Sequence, residues 1–145
     1  MEALRCCLRR LAAGTLLAIM LGLAACGGSG KDEQAIRKRV TGFYAGLAAK
    51  DPARVCASLA SGIKRALTRT PSGTTGPRSC EAALRFNFIL SGNQFANARK
   101  ARVVDVQVKG DRAAATVSYQ GRKLRLGLSS QGGDWLISTL RLNKL

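Results

Sequence analysis

The sequence predicts an α+β fold in which N-terminal helices pack on one face of a C-terminal antiparallel sheet. In the first half of the chain, apolar residues recur every three or four positions, as they do on one side of a helix. From about residue 102 onward they recur at every second position, as they do on one face of a strand. Helices followed by a run of strands are typical of an α+β domain.

The first helix is expected to begin at Asp32 and Glu33 and to end near Lys50. Carboxylates favour the first turn of a helix, because they interact with the positive end of its dipole. One apolar stripe then follows the helical period, with charged side chains off it. The stripe consists of Ile36, Val40, Phe43, Tyr44 and Leu47.

Shorter helices are expected after this point. Asp51 followed by proline is an N-cap with proline at the first helical position, which predicts a second helix over 52–59. One or two further turns are expected over 63–67. Ser79 can cap another helix, whose apolar side carries Leu84 and Phe88. Loops are expected over 71–78, which is rich in proline and glycine, and over 91–100.

Four strands are expected, separated by short turns that contain glycine. The first runs over 102–109, and its alternation sets Val104, Val106 and Val108 against Val103, Asp105 and Gln107. The second follows the Gly110-Asp111 turn. The third presents Leu124, Leu126 and Leu128 to one face, and the fourth begins with Trp135, Ile137 and Thr139 on one face.

The N-terminal segment has the layout of a secretory signal peptide. Arginines precede an uncharged apolar run of 13 residues, Leu11–Leu23, which is shorter than the ~20 residues of a spanning helix. The run closes on Leu23-Ala24-Ala25-Cys26, which resembles the lipobox of bacterial lipoproteins. The resemblance implies acylation of Cys26, a signal peptide over 1–25, a flexible tether over 26–31 and a single domain over 32–145. An uncleaved anchor helix and ordinary signal cleavage are the alternatives.

This resemblance also implies a location on the extracytoplasmic face of the cell membrane, where two or more acyl chains hold a protein stably. The chain carries 24 basic and 8 acidic residues, a net charge of +16. Such a charge favours anionic lipid or wall polymer as partners; a solvated surface in an arginine-rich proteome is the alternative. Nucleic acid is not expected, because few aromatic residues accompany the basic ones.

Two cysteines remain in the predicted domain, Cys56 and Cys80. In an oxidising compartment an even pair favours a disulfide, with two separate buried thiols as the alternative. Two thiols without any histidine in the chain are too few for a zinc site, and neither a metal nor a cofactor is expected.

Several short motifs resemble the nuclear transport factor 2-like (cystatin-like) domains. They are Val40-x-x-Phe43-Tyr44-x-x-Leu47, Asp51-Pro52, Gly110-Asp111 and Gly133-Asp134-Trp135-x-Ile137; the Cys56 and Ser79-Cys80-Glu81 pair is similar to small actinobacterial lipoproteins of that type. The resemblance implies a cone, in which helices and a curved sheet of four or more strands enclose a pocket. Phe43, Tyr44, Phe88 and Trp135 are candidates to line it, the alternative being that they fill the core.

An enzyme of the ketosteroid isomerase-like type would need a carboxylate base in such a pocket. Asp105 is the candidate, since it is the one acid expected in the middle of a strand, and Tyr44 would accompany it. The favoured hypothesis is instead a non-enzymatic lipoprotein that binds a small ligand or an envelope protein. The pocket enzyme and an electrostatic module for anionic lipid or wall polymer are the alternatives.

Overall fold

The computed structural model describes residues 28–69 and 76–141. The predicted signal peptide, Cys26, part of the 71–78 loop and the last four residues lie outside these ranges. Four helices come first: α1 (Gly28–Ala49), α2 (Pro52–Ala57), α3 (Ser61–Thr68) and α4 (Cys80–Leu90). A 3₁₀ helix over Ala96–Lys100 precedes the strands β1 (Arg102–Lys109), β2 (Arg112–Tyr119), β3 (Arg122–Gln131) and β4 (Asp134–Arg141). The predicted α+β class is confirmed.

Helix α1 begins four residues earlier than the sequence predicts, so Gly28–Gly30 are helical and not part of a flexible tether. Both acidic residues of this helix, Asp32 and Glu33, interact with another side chain. The indole N–H of Trp135 donates to Asp32 Oδ1 at 3.1 Å, and Glu33 pairs with Arg37 at 2.8 Å. No helix among the described residues combines the length and the apolarity needed to cross a bilayer.

The predicted caps of α2 and α4 are both present. Asp51 Oδ1 accepts the backbone N–H of Arg54 at 3.0 Å, and Ser79 Oγ accepts that of Ala82 at 3.1 Å. Each cap satisfies a backbone donor that has no partner within its helix. The segment 91–100, expected to be a loop, contains the 3₁₀ helix instead, and Ala98 in it is buried against the core.

The four strands form one open antiparallel sheet in the order β1-β2-β3-β4. The connection between α2 and α3 lies beside the outer edge of β4. Ala60 N–H donates to the carbonyl of Ile137 at 2.8 Å, and Ile137 N–H donates to the carbonyl of Ser58 at 2.9 Å. These two bonds satisfy backbone groups at a sheet edge that would otherwise be unpaired.

Two β-bulges change which residues face the helices. One lies between Val103 and Asp105, so Val103 is packed against the core while Val104 is exposed, contrary to the predicted alternation. The other pairs Gly127 with Thr139 but Leu128 with Ile137. Thr139 therefore does not share the face of Ile137. An extra residue in one strand shifts every later side chain to the other face.

The core lies between the helices and one face of the sheet. It includes the whole predicted stripe of α1, with Leu47 at its margin, and the inward residues of β2, β3 and β4. The opposite face of the sheet carries small and polar residues such as Thr116 and Ser118. Because the helices cover only one face, the fold has two layers.

Candidate functional site

An apolar cavity of about 430 Å³ lies between the helical layer and one end of the sheet. This volume is within the range of sites that hold small molecules, roughly 300–1,000 Å³. Every residue that lines it is aliphatic or aromatic. The lining residues are Phe43, Tyr44, Leu47, Val55, Leu59, Ile63, Leu67, Leu84, Phe95, Ala98, Tyr119, Leu124, Leu126 and Leu140.

The sheet contributes the end of β2, the start of β3 and the end of β4 to the cavity. Tyr119 and Leu124 flank the β2–β3 turn, and Leu126 is the next inward residue of β3. Leu140 pairs with Leu126 and lines the cavity because the bulge in β4 brings it to the inner face. Its side chain is 52 % exposed, so it forms part of the rim.

Helix α1 supplies the opposite wall through its second half, with Phe43, Tyr44 and Leu47. Helix α2 crosses close to it at Gly46, where a Cβ atom would come within 3.0 Å of Val55 Cγ2. A larger residue at this position would push α2 away. The close approach fixes Val55 and Leu59 against the cavity.

The Cys56–Cys80 disulfide is present and joins α2 to the first residue of α4, with the two Cα atoms 6.1 Å apart. Its two helices line the cavity through Val55 and Leu84. The bridge therefore connects two walls of the cavity covalently and limits how far they can separate.

The polar side-chain atoms of the lining are two phenol hydroxyls. The Tyr119 hydroxyl donates to the carbonyl of Gln94 at 3.5 Å. Tyr44 lies beside it, with the ring centroids 5.9 Å apart. Burial, and to a smaller extent the neighbouring Tyr119, raises the pKa of Tyr44 from its usual value of 10 to about 12. Tyr44 is therefore a neutral hydrogen-bond donor at physiological pH and not a base.

Of the five candidate pocket residues, the structure brings only Phe43 and Tyr44 to the cavity. Phe88 is buried and packs edge to face on Phe95, with the ring centroids 5.8 Å apart. Trp135 is buried at the other end of the sheet, where its N–H is bound to Asp32. Neither residue lines the apolar cavity. Both belong to the core, which was the alternative, and Trp135 also borders a second recess.

Asp105 also lies outside the cavity. It is exposed on β1, and its Oδ2 accepts a hydrogen bond from Gln107 Nε2 at 3.1 Å. Asp105 pairs with Thr116 and alternates with Val106 and Val108, which pack against the core, so it lies on the solvent side of the sheet. The candidate base and Tyr44 are therefore not part of one site. Among the described residues, no group of three or more acidic or cysteine side chains is close enough to hold a metal.

A second recess of about 490 Å³ lies on the other side of α1 and contains three basic residues, Lys38, Arg39 and Arg54. Arg39 is bound to Asp134 Oδ1 at 3.2 Å and to the carbonyl of Ala57 at 3.3 Å. Arg54 lies 3.7 Å from Asp51. Two of the three cations thus have acidic neighbours, which reduces the attraction of this recess for an anion.

Sequence reasoning missed most of the cavity lining. Tyr119 and the leucines of β3 follow the period of two, and a count along each strand finds them. Phe95 and Ala98 belong to a segment with no periodic pattern, and Leu140 depends on the bulge. No local signal identifies these three positions.

A comparison of the sequence with protein-family models and with curated proteins found no match. The case for a function therefore depends on the residues of the cavity and on the surface of the domain.

Proposed function

We propose that this protein is a lipid-anchored protein of the bacterial cell envelope that binds an apolar ligand, without catalysis, in the cavity between its helices and sheet. The observation that carries the proposal is the lining of the cavity, which consists of aliphatic and aromatic side chains around about 430 Å³. Transfer of an apolar molecule from water to such a surface is favourable at roughly 25 cal/mol per Å² buried. The two phenol hydroxyls would orient the polar end of a ligand.

The anchor is part of the same proposal. The Leu23-Ala24-Ala25-Cys26 sequence supports acylation of Cys26, and the location on the outer face of the membrane follows from it. Helix α1 begins at Gly28, so few residues separate the lipid from the folded domain. The cavity would then lie close to a bilayer, which is a source of apolar molecules. A kinship with nuclear transport factor 2-like domains is proposed on the ground that N-terminal helices pack on one face of an antiparallel sheet.

A binding role is favoured over the pocket enzyme by the positions of the polar groups. The candidate base Asp105 is exposed on β1 and outside the cavity. Tyr44 stays protonated until the pH approaches about 12, because burial opposes its ionisation. The cavity thus presents Tyr44 as a protonated donor, which suits recognition better than proton abstraction.

Native mass spectrometry of the processed protein, extracted from a bacterial membrane, tests the ligand. The matched variants are Leu124→Trp, which fills the cavity, and Arg125→Trp, which adds the same side chain at the exposed position next to it. We expect a retained small molecule in the parent protein and in Arg125→Trp, and its loss in Leu124→Trp. Equal retention in all three proteins, or retention in none, would contradict a role for the cavity.

Labelling with radioactive palmitate tests the anchor separately. We expect label in the parent protein and none in Cys26→Ser, which should also leave the detergent phase on partition. If Cys26→Ser still fractionates with membranes and the parent takes up no label, the proposed anchor is wrong, whatever the cavity binds.

A further inference from the structure

Helix α4 is apolar on two sides, and within residues 28–69 and 76–141 only one of them is covered. Leu84 and Phe88 face the core, whereas Phe86, Ile89 and Leu90 are 60 %, 78 % and 69 % exposed. The exposed three are spaced at i, i+3 and i+4, so they lie on the same side of the helix. We call them the α4 apolar face. Three large apolar side chains together in water mark an interaction surface, whereas single ones are ordinary.

The chain around the α4 apolar face is basic. Between residues 78 and 102, five cations and one acid are exposed: Arg78, Arg85, Arg99, Lys100, Arg102 and Glu81. The acid lies 3.7 Å from Arg85, so it compensates a cation of its own helix. Phe95, which precedes the segment that carries Arg99 and Lys100, packs on Phe88 at the buried side of α4. Exposed cations therefore precede the helix, lie within it and follow it along the chain.

We propose that the α4 apolar face is a membrane-docking surface, which inserts Phe86, Ile89 and Leu90 into the interfacial region of an anionic bilayer. Amphipathic helices bind membranes in this way, with apolar side chains below the headgroups and basic ones among them. Anionic headgroups attract such cations. The proposal rests on the membrane location proposed above but not on ligand binding in the cavity.

The charge also decides between a bilayer and a second copy of the chain. A symmetric dimer through this face would bring the same surface of both subunits together. Each copy has a net positive charge in this part of the chain, and like charges brought together oppose association. An anionic surface instead neutralises these cations. The combination of an exposed apolar face and a basic flanking sequence thus favours lipid over self-association.

The test measures how deeply a tryptophan enters the bilayer in the full chain. Ile89→Trp puts an indole on the α4 apolar face, and Gln131→Trp puts one at an exposed, uncharged position on β3. Each protein is bound to vesicles of phosphatidylglycerol and brominated phosphatidylcholine, and the signal of the buried Trp135 is subtracted with the parent protein. Co-sedimentation verifies that equal amounts are attached in each case.

We expect bromine to quench the indole of Ile89→Trp at least threefold more than that of Gln131→Trp. In vesicles without phosphatidylglycerol the difference should fall by half or more, and Arg99→Gln with Lys100→Gln should reduce it in anionic vesicles. Equal quenching of both probes would overturn the proposal. Equal quenching of Ile89→Trp with and without anionic lipid would overturn the role of charge.

Two further outcomes would contradict docking of the α4 apolar face on a membrane. If the parent chain self-associates in sedimentation experiments and Ile89→Ser abolishes the association, the face binds a second copy and the proposal is wrong. If the parent chain does not co-sediment with vesicles, the proposed membrane location fails together with this inference. Neither outcome bears on retention of a ligand in the cavity, which Leu124→Trp and Arg125→Trp test independently.

Discussion

The interface between helices and sheet is filled at one end and open at the other. At the packed end, the first half of α1 supplies Ile36 and Val40, and the sheet supplies Ala115, Trp135 and Ile137, all buried. At the open end, the second half of α1 and the residues around the β2–β3 turn leave a cavity of about 430 Å³. Both ends are apolar, so composition does not distinguish them.

The difference lies in how side-chain size is distributed. At the packed end, small residues on β2 face large ones on α1, β3 and β4, and Trp135 closes the space. At the open end, large residues stand on all sides, and Leu140, which the bulge brings to the inner face, lies half exposed at the rim. Side chains that line an empty cavity lack dispersion contacts on one side. Such a cavity therefore lowers the free energy of unfolding unless a ligand fills it. We therefore propose that the packed end stabilises the domain and that the open end binds the ligand.

Truncation of a large side chain should give the largest difference in stability between the two ends. Ile137→Ala at the packed end should lower the free energy of unfolding by about 2–5 kcal/mol, because it leaves a cavity in a close-packed region. Leu140→Ala at the open end should cost less than about 1 kcal/mol, since half of that side chain is already in water. Urea unfolding measures both. Equal losses would mean that the open end is packed in solution.

Removal of the disulfide should have the next largest effect. The bridge joins residues 24 apart in sequence, and loop-closure entropy of that size corresponds to roughly 3.5 kcal/mol in a model-dependent estimate. Cys56→Ser with Cys80→Ser should therefore lower the midpoint of thermal unfolding by several degrees. Addition of a reductant should lower the midpoint of the parent protein but leave that of the double variant unchanged. An unchanged midpoint in both experiments would contradict a structural role for the bridge.

Larger side chains should also distinguish the two ends, because only the open end has space for additional atoms. Ala115→Leu should destabilise by about 1–3 kcal/mol, because the packed end has no room for it. Leu124→Trp should change stability by less than about 1 kcal/mol, since the new atoms enter the cavity. Thermal unfolding of the two variants and of the Arg125→Trp control measures this. A larger loss in Leu124→Trp than in Ala115→Leu would show that the cavity is closed to side chains.

The smallest predicted effect is a pH dependence from the open end. The pKa of Tyr44 is raised to about 12 in the folded protein against a usual value of 10. The folded state holds this proton more tightly than the unfolded state, so the contribution of Tyr44 is complete below pH 10 and is lost as the pH rises towards about 12.

Stability measured from pH 9 upward should therefore fall more steeply in the parent protein than in Tyr44→Phe. The difference between the two proteins removes the contributions of the other basic and phenolic groups. A ligand that fills the cavity should shift the Tyr44 titration further upward, as followed by phenolate absorbance. Parallel curves for the two proteins would mean that Tyr44 is exposed to water in solution.

Much of the fold follows from local chemistry. The caps at Asp51 and Ser79 and the apolar stripe of α1 were predictable because each depends on residues within a few positions of one another. The strands were predictable from alternation and from glycines in the turns. The start of α1 at Gly28 was not, because glycine disfavours helix and the segment before Asp32 carries no local helix signal.

The candidate site was less predictable than the fold. Phe43 and Tyr44 were found because an aromatic pair on an apolar helix stripe has to face the interior. Phe88, Trp135 and Asp105 were candidates that do not line the cavity. Sequence identifies a residue as aromatic, apolar or acidic but not the partner it meets. The bulge in β4 accounts for the omission of Leu140.

The sequence by itself determined the order of helices and strands, their caps and turns, the pairing of the two domain cysteines and the resemblance of the N-terminus to a lipobox. These features depend on neighbours along the chain. Only the tertiary structure decided that one end of the core is filled and the other open, and that one side of α4 has no cover among the described residues. Periodicity fixes which faces are apolar, whereas the volume between two faces depends on side chains brought together from distant parts of the chain.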